Sequence, residues 1–388
     1  MGAGGAGDAE GVGGSGVVLG GMRIAIDGRA VGWTGVGRYV RNLVKNLAAI
    51  DSGDEYVLLV GREDLAAVKE DEAFSSPKIS FRVVDRVYYS WREQIVLLGQ
   101  LQGVRADLFH FVHFNVPALF NRRYVVTAHD ATRFIYSGQT KQDWLSQVAY
   151  EYIFKRAVTR ARAVISVSEA TKKDLEDLPF KMRKCRVIPE GVDGNWMKGE
   201  TEVRDELGFP DDYFLYVGVW MEHKNVRRLL GAFRRARQWG LRMKLVLVGK
   251  LKPGYVDLPR LVKDYGLEEA VVFPGFVSQE MLVGLYKEAY GCLFPSLYEG
   301  FGLPPLEAAA AGCPVIASRV TSLPEVLGSG ALYVNPEDEE GLARAMWRLA
   351  SDRKMRELLL AAGKKRVEFF SWSKAARDHL SLYRSVII

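Results

Sequence analysis

From residue 22 onward, short apolar runs alternate with longer amphipathic stretches. Residues 22–27, 55–60, 79–84, 108–111, 124–128 and 163–167 predict strands, while 36–50 and 142–162 between them repeat apolar positions at helical spacing. A second series predicts strands at 213–217, 244–248, 270–273, 291–294 and 314–317. Alternation of strand and helix implies parallel sheets with crossover helices on both faces.

The segment Val187-Ile188-Pro189-Glu190-Gly191-Val192-Asp193 and a polar stretch to Pro210 separate the two series. With 388 residues, the chain exceeds the roughly 250–300 that one core sustains. Two doubly wound α/β domains are therefore expected, at 22–193 and 194–371, with a terminal helix over 372–388 crossing back to the first. Such domains facing each other enclose a cleft lined by strand C-termini, where these sheets bind ligands. Residues 1–21 hold ten glycines and no basic residue, which predicts a flexible extension rather than a secretory signal, with Met22 an alternative start.

At 48% hydrophobic and 26% charged, the composition is that of a soluble globular protein. The excess of 53 Lys and Arg over 47 Asp and Glu suits anionic small molecules or an acidic membrane face. It is too diffuse for a nucleic-acid binder. Cys185, Cys292 and Cys313 are widely spaced, which argues against a disulfide framework or thiolate zinc site and favours a reducing, cytoplasmic setting. No run approaches the roughly 20 apolar residues of a membrane span.

The sharpest chemical signal is the string from Phe294 to Glu307, FPSLYEGFGLPPLE, between a predicted strand and an Ala-rich helix at 307–311. Gly300 and Gly302 let the loop bring bare backbone amides to a ligand. Pro305 suits the first helical position, and a helix N-terminus attracts anions. Pro304 and Pro305 have no N–H, so Phe301, Gly302 and Leu303 are the expected donors. Glu307, beside a bound phosphate, would be repulsive unless it accepted hydrogen bonds, and ribose hydroxyls are natural donors. A capping Glu307 and an exposed loop Glu299 are the plainer alternatives.

This string resembles the Glu-x7-Glu signature of retaining glycosyltransferases of family 4, with two Rossmann-like domains in the GT-B arrangement. The resemblance runs from about Met22 to the C-terminus and extends to bacterial mannosyltransferases. It recurs at Thr34-Gly35-Val36-Gly37-Arg38-Tyr39, Ala128-His129-Asp130, Ser166-Val167-Ser168-Glu169-Ala170-Thr171, Val217-Gly218, His223-Lys224-Asn225, Phe273-Pro274-Gly275-Phe276-Val277 and Phe370-Ser371-Trp372. It implies that Gly35 and Gly37 lie near the donor's diphosphate and the acceptor, that His129 approaches the transferred sugar, and that Glu299 hydrogen-bonds its hydroxyls. It further implies that Lys224 neutralises the leaving diphosphate and that Pro274 and Phe276 line the nucleobase pocket. Where the family often places an Arg this chain has Val219, so the second cationic contact stays open among Arg227, Arg228 and His223.

The resemblance thus implies transfer of a hexose from a nucleotide diphosphate sugar to a glycan or lipid-linked acceptor, without metal or other cofactor. GDP-mannose is the expected donor, with UDP-glucose and UDP-N-acetylglucosamine as alternatives. His110 and His113 read as non-metal residues. The Arg-rich helix at 225–240 and the aromatic, basic stretch at 144–162 are explained as solvated faces, with contact to anionic lipid headgroups as the alternative. A glycoside hydrolase would need two carboxyls flanking one bond, and a dinucleotide enzyme a third glycine, where Val40 stands. A non-catalytic nucleotide-sugar-binding module would keep the same residues.

Overall fold

The computed structural model describes residues 21–86, 88, 90, 92–135, 144–192, 196, 208, 212–250 and 255–387. The extension at 1–20, Asp193 and nearly all of the polar stretch to Pro210 lie outside them. The first sheet holds β1 (Arg23–Asp27), β2 (Glu55–Val60), β3 (Ile79–Val83), β4 (Leu108–Phe111), β5 (Tyr124–Ala128), β6 (Ala163–Ser166) and β7 (Cys185–Val187). Its order is β3-β2-β1-β4-β5-β6-β7 and every pairing is parallel. The second sheet holds β8 (Tyr213–Val217), β9 (Lys244–Val248), β10 (Val271–Gly275), β11 (Gly291–Phe294), β12 (Val315–Ser318) and β13 (Ala331–Val334). Its order is β10-β9-β8-β11-β12-β13, again all parallel.

In both sheets the strand order reverses beside the first strand, between β1 and β4 and between β8 and β11. Loops leaving the C-termini of such strands diverge to opposite faces and open a crevice. The four loops that matter below therefore follow β1, β4, β8 and β11.

Five helices position the site: α1 (Thr34–Ala49), α2 (Glu169–Glu176), α3 (Val226–Gln238), α4 (Leu303–Ala310) and α5 (Trp372–Ile387). In α1, Tyr39, Val40, Leu43, Val44 and Leu47 repeat at helical spacing and are fully buried. Helix α4 begins at Leu303, four residues before the expected start. Pro304 and Pro305 fit its first turn because those N–H groups have no intrahelical acceptor anyway. Glu307 consequently sits in the second turn, not the first.

The sequence pattern missed β7 and β13. Both are four residues or fewer at a sheet edge, too short to show a period. β10 runs on to Gly275 through Pro274, which an edge strand tolerates, at an irregularity between Val272 and Gly275.

Helix α5 lies against α1, with Trp372, Ala376, Leu380 and Tyr383 in the first domain's core. A buried polar chain bolts it there. The Tyr39 hydroxyl bonds His379 Nε2 at 2.7 Å and Thr127 Oγ1 at 3.1 Å, Thr127 bonds His110 Nε2 at 2.8 Å, and His110 Nδ1 bonds the Tyr383 hydroxyl at 2.7 Å.

A polar seam joins the domains. Ser168 and Thr171 donate to the Gly300 carbonyl at 2.6 and 2.9 Å, and the Glu325 carboxylate accepts from the first two backbone amides of α2. Tyr298 donates to Asp174 at 2.6 Å and accepts from the Ala131 amide.

Candidate functional site

A cavity of about 1300 Å³ lies between the two switch points. The first domain contributes the loop after β1, the start of α1, and His113, Phe114 and Asp130; the second contributes Val217 at the end of β8, Gly218, Val219 and residues 221–224 after it, Glu299, and Leu303, Pro304 and Glu307 of α4.

Lys224 ends a short 3₁₀ turn after β8, and its ammonium group donates to both Glu299 oxygens at 2.8 Å. Ser296 also donates to Glu299, at 2.7 Å. The two loops are stitched by the Leu297 amide donating to the His223 carbonyl at 2.7 Å and by Asn225 donating to the carbonyls of Pro295 and Pro336. Thr321 fixes the Glu299 backbone twice over, accepting from its N–H at 3.0 Å and donating to its carbonyl at 2.9 Å. It does so at φ 44°, a strained conformation for a β-branched residue.

Glu307 is 1% exposed and forms an ion pair with Arg38 of α1. Burial by itself would lower the pKa of the Arg38 guanidinium, but the Glu307 charge and hydrogen bond outweigh it and hold the value above its ordinary one. Arg38 also lies 5.4 Å from the centre of the Trp196 ring. No sequence expectation named Arg38 as a site residue. The available signal was its place in the Thr34–Tyr39 string, one position after Gly37. Arg227 and Arg228 are not on the cavity wall, and Arg228 is turned back to the Asn225 side chain at 3.1 Å, whereas His223 is on the wall.

Gly35, Gly37, Val219, Phe276 and Leu303 reach the cavity as well. Gly35 faces open space, while a Cβ on Gly37 would sit 2.2 Å from the Val31 carbonyl oxygen, so Gly37 is needed for packing. Pro274 stays in its strand, and Phe276 is 79% exposed at the rim.

Of the expected amide cradle at Phe301–Leu303, Leu303 reaches the cavity wall and Phe301 and Gly302 do not. Gly300 is an interdomain packing position: a Cβ there would meet the His129 carbonyl oxygen at 1.9 Å. Phe301 is 5% exposed and packs edge-to-face on Phe370, while Gly302, at φ 94°, caps α4. Of the string from Phe294 to Glu307, Phe294, Glu299, Leu303, Pro304 and Glu307 line the cavity. His129 is also placed differently from the expectation. Its Nδ1 bonds Glu190 at 3.1 Å and its Nε2 the Val112 carbonyl at 3.0 Å, and the neighbouring Asp130 forms the wall instead. Among the described residues no three His, Cys, Asp or Glu side chains are grouped to hold a metal ion, and no helix is long and apolar enough to cross a membrane.

The profile of "Glycosyltransferase Family 4" matches residues 33–196, and that of "Glycosyl transferases group 1" matches 200–366. The chain belongs to family 4 of the GT-B glycosyltransferases. Among its curated relatives, the O-antigen chain mannosyltransferase B of Escherichia coli is 28% identical over 375 residues, covering 90% of this chain and 96% of the relative. The O-antigen chain mannosyltransferase of Salmonella typhimurium is 29% identical over 282 residues, 72% of this chain and 75% of the relative. A solved Anabaena protein, HepE in complex with UDP and glucose, shares the fold with TM-score 0.78 at 18% identity, covering 94% of this chain and all of that one. The paired domains of this glycosyltransferase therefore face each other as in other GT-B proteins, with Lys224, Glu299, Glu307 and Arg38 at their shared wall.

Proposed function

We propose that this glycosyltransferase moves a hexose, mannose in the first instance, from a nucleotide diphosphate sugar to an acceptor hydroxyl with retention at the anomeric carbon. The observation carrying this reading is the Lys224–Glu299 pair beside Glu307, one cation and two carboxylates at the second domain's switch point. The carboxylates match sugar and ribose hydroxyls, and the ammonium matches the departing diphosphate, where charge grows most in the transition state. Phe276 at the rim fits the nucleobase end. The mannosyltransferase relatives support mannose, and their O-antigen names support a glycan or lipid-linked acceptor in surface-polysaccharide assembly.

In this mechanism the anomeric C–O bond to the diphosphate breaks as the acceptor oxygen bonds on the same face. The acceptor proton passes to the departing phosphate oxygen. Glu299 orients the sugar, Glu307 holds the ribose, and Lys224 stabilises the leaving group. Enclosure between the two domains excludes the water that would otherwise hydrolyse the donor. No metal or further cofactor enters the scheme. The setting is cytoplasmic, and a lipid-linked acceptor would bring the enzyme to the inner membrane face.

The test has two arms. Thermal shift with GDP, UDP and ADP identifies the base, since a ligand of the native state raises the melting temperature. Hydrolysis of GDP-mannose and UDP-hexoses, with and without acceptor, is then compared between the parent and Glu299→Gln. A parent that neither binds a nucleotide nor turns over any donor overturns the reading.

A further inference from the structure

The first domain's half of the cavity differs in character from the second. Trp33, His113, Phe114 and Tyr150 line it, together with the exposed carboxylate of Asp130. Trp33 is half-buried, so part of its indole meets the cavity. Two rings grip it from behind and beside: Tyr88, with centroids 4.8 Å apart, and His113, edge-on at 5.6 Å.

Behind these rings lies a buried charge network with no part in the scheme above. Arg29, 1% exposed, donates to both Asp27 oxygens at 2.9 and 2.8 Å, to Glu93 at 3.1 Å and to the Asn115 carbonyl at 2.7 Å. Its guanidinium lies 5.2 Å from the centre of the Tyr88 ring. Asn115 in turn bonds His113 Nδ1. Glu93 reaches this network from a π-helical segment, Glu93–Leu97, a geometry frequent at functional sites. Burying three charges is costly and needs full pairing. Here that pairing braces both neighbours of one tryptophan while leaving its indole partly open.

We propose that the Trp33 indole is the stacking face for the acceptor's terminal sugar, an uncharged hexopyranosyl ring, with the Asp130 carboxylate accepting a hydrogen bond from one of its hydroxyl groups. The proposal rests on the donor reading only for placing the donor in the opposite half. An aromatic face and the C–H face of a pyranose are complementary, and a carboxylate beside them suits hydroxyl groups. An uncharged acceptor ring suits the net negative charge left on this wall once its ion pairs are counted. Arg38 is held by Glu307 and Arg41 by Asp71, at 2.6 Å, and Asp130 adds negative charge.

Saturation-transfer NMR on the full-length protein tests this, using methyl α-hexopyranosides, their α-linked disaccharides and mannose 6-phosphate as probes. Neutral glycosides are expected to bind the parent and Trp33→Phe, to lose about tenfold or more in affinity with Trp33→Ala, and to exceed the phosphorylated sugar. Nucleotide binding is expected to stay unchanged in all three proteins, which separates this site from the donor's. In transfer assays Trp33→Ala raises the acceptor KM and leaves donor hydrolysis intact. Glycoside binding that is absent from the parent, or equal in Trp33→Ala, overturns the proposal while nucleotide binding still judges the donor reading. A preference for mannose 6-phosphate overturns the uncharged ring.

Discussion

Arg38 and Glu307 form an ion pair across the two domains, linking α1 of the first sheet to α4 of the second. Glu307 is buried and Arg38 partly exposed, at 31% of its side chain. Removing one partner of a buried pair costs about 3–5 kcal/mol, a figure that the exposure of Arg38 reduces to about 1–3 kcal/mol.

Arg38→Met is accordingly expected to lower the melting temperature by several degrees and to weaken nucleotide binding, because the buried Glu307 loses its counter-charge. Arg38→Met combined with Glu307→Gln is expected to regain part of the stability and none of the binding. Calorimetry with the nucleotide that stabilises the parent reads both, and full binding by the double variant would remove Glu307 from the donor site.

Lys224 and Glu299 act as one unit, since each is the other's partner at 2.8 Å. Lys224→Met and Glu299→Gln should each reduce kcat by about 10²–10³. The double variant should fall little further, because groups acting together are not additive. A multiplicative loss in a double-mutant cycle would show independent roles.

Thr321 holds the Glu299 backbone from a strained left-handed conformation. Thr321→Gly relieves that strain while losing the hydrogen bonds; Thr321→Ala loses them and keeps the strain. Thr321→Ala is therefore expected to be less stable than Thr321→Gly by about 1 kcal/mol, with kcat reduced in both. Urea unfolding and steady-state kinetics check the order.

Gly300 leaves no space for a Cβ against the His129 carbonyl. Gly300→Ala forces the seam apart, and a drop in kcat with a lowered melting temperature is expected. An unchanged small-angle scattering profile with full activity would contradict this.

Acid sensitivity follows from buried imidazoles. Burial holds His113 and His379 down to about 4, and His110 well below its usual 6.5. As pH falls from about 6.5 towards 4, the unfolded chain takes up protons that these folded rings refuse, so stability falls. Each ring contributes about 1 kcal/mol per pH unit in that window and nothing above it. Melting temperatures between pH 8 and 5 should be flat to about 6.5 and then decline; a flat profile to pH 5 would contradict the burial of these rings.

The sequence by itself determined the alternating architecture, because continuous apolar runs separated by amphipathic stretches have one economical packing: two parallel sheets under helices. Through the resemblance carried by the string from Phe294 to Glu307 and by His223-Lys224-Asn225, it also singled out Lys224, Glu299 and Glu307. What only the tertiary structure decided is which groups meet. Arg38 and Glu307 are 269 positions apart, and no periodicity couples residues across two domains. His129 turned to Glu190 rather than lining the cavity, and Gly300 became a packing contact, because each answers to neighbours brought up by the other domain or by the crossing chain. Local pattern reports burial and backbone preference; pairing between distant side chains depends on the relative placement of the two sheets, which emerges only when their cores have packed.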